Sequence, residues 1–472
     1  MPSSTQLVVI GAGPGGYAAA FYAADRGMQV TLVDPEKNPG GVCVYRGCIP
    51  SKALLHVAKV IEESAHAADF GVTFKKPTID LDKLRAFKDK VVGQLTSGAG
   101  QVRDMRKITH VQGTAGFRDA RTLEITRVDG TTDTLTFEHA IIATGSRPTK
   151  IPPLSIDSPR LMDSTGALDL PDVPGSLLVV GGGYIGLELG TVYAALGSRV
   201  TVVEMTDGLL PGADRDLVNI LARRVEASYE AVLLNTKVVA MKDTGSGVAV
   251  TFEGAADPKE RTFDRVLVCI GRRPNSAIPG LDRTKVKVDQ RGFIVIDESR
   301  QTDEPGIYAI GDVAGEPMLA HKASHEGRAA VDAIAGDRNV AFDPAAIPAV
   351  VFTDPEIAWA GLTETDAQKQ GRKVAVARFP WGASGRAITL GRTDGVTKLV
   401  IHPESERVLG VGICGPGAGE LISEGVLAIE MGATARDMAM TIHPHPTLSE
   451  TVMESAEVFF GEATHVYRPK RR

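Results

Sequence analysis

The sequence predicts an α/β protein in which one βαβ design occurs twice, followed by a C-terminal α+β segment of another kind. Three observations predict it. An apolar strand pattern runs into a glycine-rich turn at two places; each turn leads to a helical pattern, a second strand and an acid; and beyond residue 347 strands and helices alternate with no third turn of this type.

In the first copy the strand 7–10 meets Gly11-Ala12-Gly13-Pro14-Gly15-Gly16, and strand 29–33 ends at Asp34. In the second, strand 177–180 meets Gly181-Gly182-Gly183-Tyr184-Ile185-Gly186, and strand 199–203 ends at Glu204. Both acids lie 23 positions after the first glycine. One such turn is a weak signal in a glycine-rich chain, but two in matched context are not. Gly11 and Gly181 permit the tight turn, Gly13 and Gly183 let backbone approach a pyrophosphate, and Gly16 and Gly186 let helix and strand pack closely. The helix N-terminus supplies amide donors to phosphate, and the acid binds ribose hydroxyls. These are two Rossmann-like dinucleotide sites. Met205, Thr206 and Asp207 follow Glu204, and Arg199 is too far back to meet a 2′-phosphate, so the second site favours NAD over NADP.

Between the copies, 64–112 reads as largely helical and 123–137 as antiparallel strands turning at Asp129-Gly130; after Arg273-Pro274-Asn275 strands return, and 306–311 leads to Asp312. The expected division is 1–149, 150–280, 281–346 and 347–472.

Composition narrows the function. With 43% hydrophobic and 23% charged residues among 472, the chain is expected to fold as about three domains at roughly 150 residues each. A net charge of -6 argues against nucleic acid as the main partner, and the basic run 468–472 reads as a solvated tail. The longest apolar stretch, 177–197, is interrupted by glycines and Glu188, and the first strand leads into glycines rather than a cleavage site. No membrane span is expected, and the cytoplasm is the expected compartment.

Four cysteines are too few for a disulfide scaffold. Cys269 and Cys414 read as buried small hydrophobes. Cys43 and Cys48 lie in Gly40-Gly41-Val42-Cys43-Val44-Tyr45-Arg46-Gly47-Cys48-Ile49-Pro50-Ser51-Lys52, before an amphipathic helical run at 53–63. They can close a small loop, Pro50 suits a first helical turn, and the helix start with Lys52 favours a thiolate. The alternatives are a metal half-site or two unrelated buried thiols. No second Cys or His pair at ligand spacing supports a metal, and none is expected.

Those residues, with Ala53-Leu54-Leu55-His56, Ala143-Thr144-Gly145-Ser146-Arg147-Pro148, Gly271-Arg272-Arg273-Pro274-Asn275, Ala309-Ile310-Gly311-Asp312 and His443-Pro444-His445-Pro446-Thr447-Leu448-Ser449-Glu450, carry a resemblance. Over nearly its whole length the chain is similar to the pyridine nucleotide-disulfide oxidoreductases, most of all to those that reoxidise dihydrolipoamide. The resemblance implies FAD on the first turn, NAD on the second, and a homodimer formed by the C-terminal interface domain. Cys43 is then the interchange thiol and Cys48 the thiol against the flavin. Lys52 lies near flavin N5 and pairs with Glu188; Asp312 binds the ribityl chain; Asp34 and Ala115 serve the adenine side. Gly41, Thr144, Gly145, Ser146 and Ala320 complete the FAD contacts, and Val238 and Gly271 those of NAD. His445 becomes the acid-base group reaching the other subunit's disulfide, oriented by Glu450. Glu450 also fits a capping box with Thr447, which would commit it to backbone instead. The implied partner is a lipoyl group on the acyltransferase of a 2-oxo acid dehydrogenase complex or on the glycine cleavage carrier protein.

The chain departs from the family pattern at Val44-Tyr45-Arg46, where Leu-Asn-Val is usual, and at Asp34, where Glu is usual. An inward-pointing Arg46 would stabilise the thiolate. Glutathione-, mycothiol- and trypanothione-type reductases are disfavoured by Glu204. Mercuric reductases are disfavoured by the lack of cysteine after Cys414, transhydrogenases by the complete pair, and a non-catalytic flavin scaffold by Cys43, Cys48, Lys52, Glu188, His445 and Glu450 together.

Overall fold

The two apolar runs that precede the glycine turns become buried parallel strands, Ser4–Ile10 and Ser176–Val180, because strands covered on both faces need continuous apolar sequence. The structure is a computed structural model and describes residues 3–337 and 339–467. The basic run 468–472 lies outside the described residues.

In the first sheet, the parallel strands stand in the order Thr109–Asp119, Val30–Asp34, Ser4–Ile10, Thr132–Ile142 and Ile307–Ala309, with antiparallel Thr122–Arg127 linking Thr109–Asp119 to Thr132–Ile142. Register places Ile10 beside Val33 and Ile142, and Ala309 beside Ile142, so four carboxyl ends converge where the first glycine turn begins. The second sheet is wholly parallel, ordered Ala231–Leu233, Arg199–Val203, Ser176–Val180, Arg265–Val268, Leu161–Met162. An antiparallel pair, Ser146–Pro148 with Arg272–Pro274, ties the two units together.

The C-terminal segment is a five-stranded antiparallel sheet with helices Ala418–Glu430 and Glu450–Phe460 and its own core around Trp381, Phe379, Leu399, Ile413 and Val452. It is clamped to the second unit by Lys398, whose buried ammonium lies 2.6 Å from Asp214, 2.7 Å from Asp216 and 3.4 Å from Glu364. That cluster of acids has metal-like spacing, but Lys398 supplies its cation. Leu427, Met431, Met440 and Ile442 of this segment are exposed on the single protomer. No helix among the described residues is long and apolar enough to cross a membrane.

The stretch 64–112 is largely helical, as expected, with one interruption: helix Cys48–His66 and a 3-10 turn give way at Gly71, with φ +86, and helix resumes at Leu81–Met105. Gly71 and Pro77 break the periodicity, and Asp80 starts the new helix by accepting from the Lys83 amide at 3.1 Å. Residues 109–112 are already strand.

Candidate active site

The first turn has the backbone its glycines were expected to allow. Gly11 has φ +101, and a Cβ there would sit 2.4 Å from the Ala143 carbonyl oxygen; a Cβ on Gly16 would sit 1.9 Å from the Gly11 oxygen. Gly13 faces open space. Beside it is a cavity of about 510 Å³ lined by Gly11, Gly13, Gly16, Asp34, Gly41, Lys52, Ala115, Thr144, Gly145, Ser146, Asp312 and Ala320, as well as both Cys43 and Cys48. Every residue expected at the first dinucleotide is therefore on one cavity wall. Asp34 is buried, and burial pushes its carboxyl up to about 6 against the pull of the Ala12 amide at 2.6 Å.

Two residues missed in the sequence organise the far end. Arg272 donates to Ser146 Oγ and to its carbonyl, both at 2.7 Å, and Ser146 in turn bonds Asp312. Glu326, fully buried between Arg300 and Lys322 at 3.0 Å each, accepts the Gly311 amide at 2.7 Å and so fixes the residue preceding Asp312. Arg272 lay inside a quoted motif; Glu326 sat in an ordinary helix and gave no signal.

The cysteines are helical on both sides of Gly47: Cys43 in Gly41–Arg46, Cys48 as first residue of Cys48–His66. Both are free thiols here. Cys48 is the more exposed and opens onto the cavity. A hydrogen bond from Cys43 lowers the Cys48 thiol to about 7, and Lys52, one helical turn on, adds to the effect; the same bond pushes Cys43 up. In a reduced pair this bond and Lys52 favour negative charge on Cys48 over Cys43.

Lys52 Nζ lies 2.7 Å from Glu188 Oε2. Glu188 is buried on helix Tyr184–Leu196, and its other oxygen accepts the Phe352 amide at 3.0 Å. Arg46 is committed elsewhere: it pairs with Glu36 with its side chain 41% exposed, so its charge is answered by a carboxylate rather than directed to the thiolate.

The second turn copies the first. Gly181 has φ +110, a Cβ on Gly186 would meet the Gly181 oxygen at 2.2 Å, and Gly183 and Gly271 face open space. Glu204 accepts the Gly182 amide at 2.8 Å with one oxygen and the Thr206 amide and hydroxyl at 2.9 Å with the other. Val238 has its side chain buried with Val180 and Val203, so any polar contact it makes to a nucleotide comes from its backbone.

His445 does not line the cavity of its own protomer. Its ring is 71% exposed and its Nδ1 lies 2.8 Å from Glu450 Oε1. Glu450 Oε2 accepts the Thr447 amide at 2.7 Å, so the carboxylate serves both the histidine and the backbone. Although partial burial works against it, these two partners hold the carboxyl below its usual range. The Thr447 hydroxyl turns to Pro444 and Ser449, leaving the capping box half made.

Against this geometry stand the likenesses to known proteins. The family described as pyridine nucleotide-disulphide oxidoreductase matches residues 5–327, and its dimerisation domain matches 347–456. The chain belongs to this family. Within it, the chain is 49% identical over 468 residues to a protein named dihydrolipoyl dehydrogenase from Haemophilus influenzae, covering 99% of this chain and 98% of that one. It is 45% identical to the protein of that name from Geobacillus stearothermophilus, covering 98% and 97%. Among solved structures, LpdA from Mycobacterium tuberculosis superposes with a TM-score of 0.89 at 28% identity, covering 96% of this chain and 99% of that one. The flavoprotein disulfide reductase RclA from Escherichia coli superposes at 0.86 and 28%, covering 98% and 99%.

As a pyridine nucleotide-disulphide oxidoreductase, the chain is a homodimer-forming enzyme that uses FAD and NAD(H). The residues present fit both groups. The open space at Gly13 and the buried Asp34 suit a pyrophosphate and a ribose in a cavity that ends at Cys48. The open space at Gly183 and the paired oxygens of Glu204 suit the second dinucleotide.

Proposed function

We propose that the chain is a dihydrolipoyl dehydrogenase that oxidises a protein-bound dihydrolipoyl group with NAD+, in the cytoplasm, as part of a 2-oxo acid dehydrogenase complex or the glycine cleavage system. The observation that carries this is a thiol pair on the cavity wall in which Cys48 is the favoured thiolate, with a histidine-carboxylate pair exposed elsewhere on the protomer. The family's dimerisation domain and the exposed Leu427, Met431, Met440 and Ile442 support a partner subunit that brings the two together. We divide the chain at 1–149, 150–280, 281–346 and 347–472, the third part contributing Ile307–Ala309 to the first sheet.

With Nδ1 held by Glu450, Nε2 of His445 of the partner subunit is the nitrogen that takes a thiol proton. The substrate thiolate attacks Cys43 Sγ of the oxidised pair; the Cys43–Cys48 bond breaks and Cys48 leaves as the thiolate its surroundings favour. The second substrate thiol attacks the substrate sulfur of the mixed disulfide, displacing Cys43, which takes up the proton that thiol loses; the first proton stays on the histidine and the cyclic disulfide leaves. Bound FAD supplies two-electron carriage from the reduced pair to NAD+. Asp34, Arg272, Ser146 and Asp312 hold and orient that group, and Glu204 holds the ribose of the NAD.

Steady-state NAD+ reduction by dihydrolipoamide, set beside NADP+ and beside NADPH-driven reduction of glutathione disulfide, tests the reading. NADH production that Cys48→Ser abolishes is the expected result. Activity confined to another disulfide would keep the chemistry and overturn the substrate.

A further inference from the structure

The Lys52–Glu188 pair has a third member from the C-terminal segment. Phe352 donates its amide to Glu188 Oε1 at 3.0 Å, and its ring lies under Lys52 Nζ at 4.5 Å from the centroid. Neither contact is loose. Val351 pairs with Ile357 in the C-terminal sheet and is buried among Leu54 and Leu55 of the cysteine helix and Leu189 and Val192 of the second unit's helix, with Phe352 packed on the same cluster. On the other side, Asp354 is anchored by Arg392 at 2.6 Å and Arg224 at 3.7 Å. The backbone that carries the ring is therefore anchored on both sides.

We propose that Phe352 is a positioning residue for the flavin-side thiol: it holds the Lys52 ammonium where it stabilises the Cys48 thiolate. The physical argument runs through two contacts. An aromatic face attracts a cation at this distance, and the amide fixes the carboxylate to which that cation is bonded. Lys52 favours the Cys48 thiolate and Glu188 opposes it, so the balance depends on which of the two stands nearer, and Phe352 touches both. The proposal rests on the reading of Cys48 as the thiol that meets FAD, and is independent of which disulfide is the substrate.

The charged and titratable groups around this assembly are Cys43, Tyr17 and Tyr184 on the cavity side of Cys48. Behind Lys52, a second cavity of about 280 Å³ is lined by His56, Lys59, Glu62, Asp354, Glu356 and Glu420 as well as Phe352.

The test is a pH titration of the holoenzyme after two-electron reduction, read by the long-wavelength absorbance that a thiolate stacked on oxidised flavin gives. Phe352→Leu should raise the apparent pKa of that signal by roughly half to one unit, the size a partly desolvated cation–π contact supports. Phe352→Tyr, which keeps the ring, should restore it, with flavin content and dimer mass unchanged in both. If the leucine variant does not fold, Phe352→Met, closer in volume, takes its place and should show the same rise. An unchanged pKa in a folded, flavin-bearing leucine or methionine variant overturns the proposal. A wild-type enzyme without any such absorbance overturns both this and the assignment of Cys48, whereas failure with dihydrolipoamide alone touches only the substrate.

Discussion

The two glycine turns are near copies in backbone and differ in what surrounds them. Gly11 and Gly181 have φ +101 and +110, Gly16 and Gly186 each press on the carbonyl of the turn's first glycine, and Asp34 and Glu204 each accept an amide from the turn. Around the first, the walls come from residues as distant in sequence as Gly11, Cys48, Ser146, Arg272 and Ala320. Gly15 and Gly327 let helix Ala320–Ile334 pack directly on the first helix, with a Cβ on Gly15 meeting the Ala323 oxygen at 2.9 Å. At the second turn, every residue assigned to the nucleotide lies between Gly181 and Gly271. The turn specifies a dinucleotide; the number of segments closing over it distinguishes a resident cofactor from one that exchanges every cycle.

Placing one methyl group at the equivalent position of each turn strains this comparison hardest. Gly16→Ala should yield protein without bound flavin. Gly186→Ala should stay yellow and dimeric while the KM for NAD+ rises roughly 5- to 100-fold, the equivalent of about 1–3 kcal/mol of overpacking. Absorbance spectra and steady-state kinetics decide; loss of flavin in the second variant would show that the units are not separable. His445→Gln should lower kcat/KM for dihydrolipoamide about 10²- to 10⁴-fold while leaving flavin reduction by NADH intact, which separates the disulfide side from the nucleotide side.

Glu204→Gln should cost roughly tenfold in kcat/KM for NAD+ and narrow the preference over NADP+, because a charged acceptor of three bonds becomes neutral. At Glu62 the effect falls on stability rather than turnover. Burial, with Asp354 beside it, pushes its carboxyl up to about 7 in the fold, above the unfolded value of about 4.3. The folded state thus binds the extra proton, and stability present below the unfolded pKa is lost as pH rises through about 7. Glu62→Gln should melt later than wild type at pH 8 by the equivalent of about 1–2 kcal/mol, discounted for the solvent it still sees, and the gap should close below pH 5 in thermal melts. Arg46→Asn should leave the Cys48 titration within about 0.3 units, since Glu36 already balances that charge at the surface.

The turns, the acids and the thiol pair were legible because each is a local pattern or lies in a quoted motif, whereas the Lys52–Glu188 contact came only from the family resemblance. Segment 71–80 was not legible, since an amphipathic count over 64–112 runs across Gly71 and Pro77 without registering that they interrupt it. Arg46 was read by its charge alone, and only the fold shows Glu36 beside it. Glu326 and Phe352 were invisible because their partners, the Gly311 amide and the Glu188 carboxylate, are met through the fold rather than along the chain. Glu450 posed a choice between histidine and backbone that sequence could not make, and two carboxylate oxygens removed the need for one.

Glu188 stands on a helix of the second nucleotide unit, bonds an ammonium from the first, and bonds an amide from the C-terminal segment. That bears on how such a chain can be divided or recombined. A breakpoint anywhere between Lys52 and Phe352 parts this carboxylate from at least one of its donors, and a buried polar group left without its partner costs about 1–3 kcal/mol. Fragments made separately should therefore need one another to regain the site. Chimeras between distant relatives should succeed only when the three positions are inherited together.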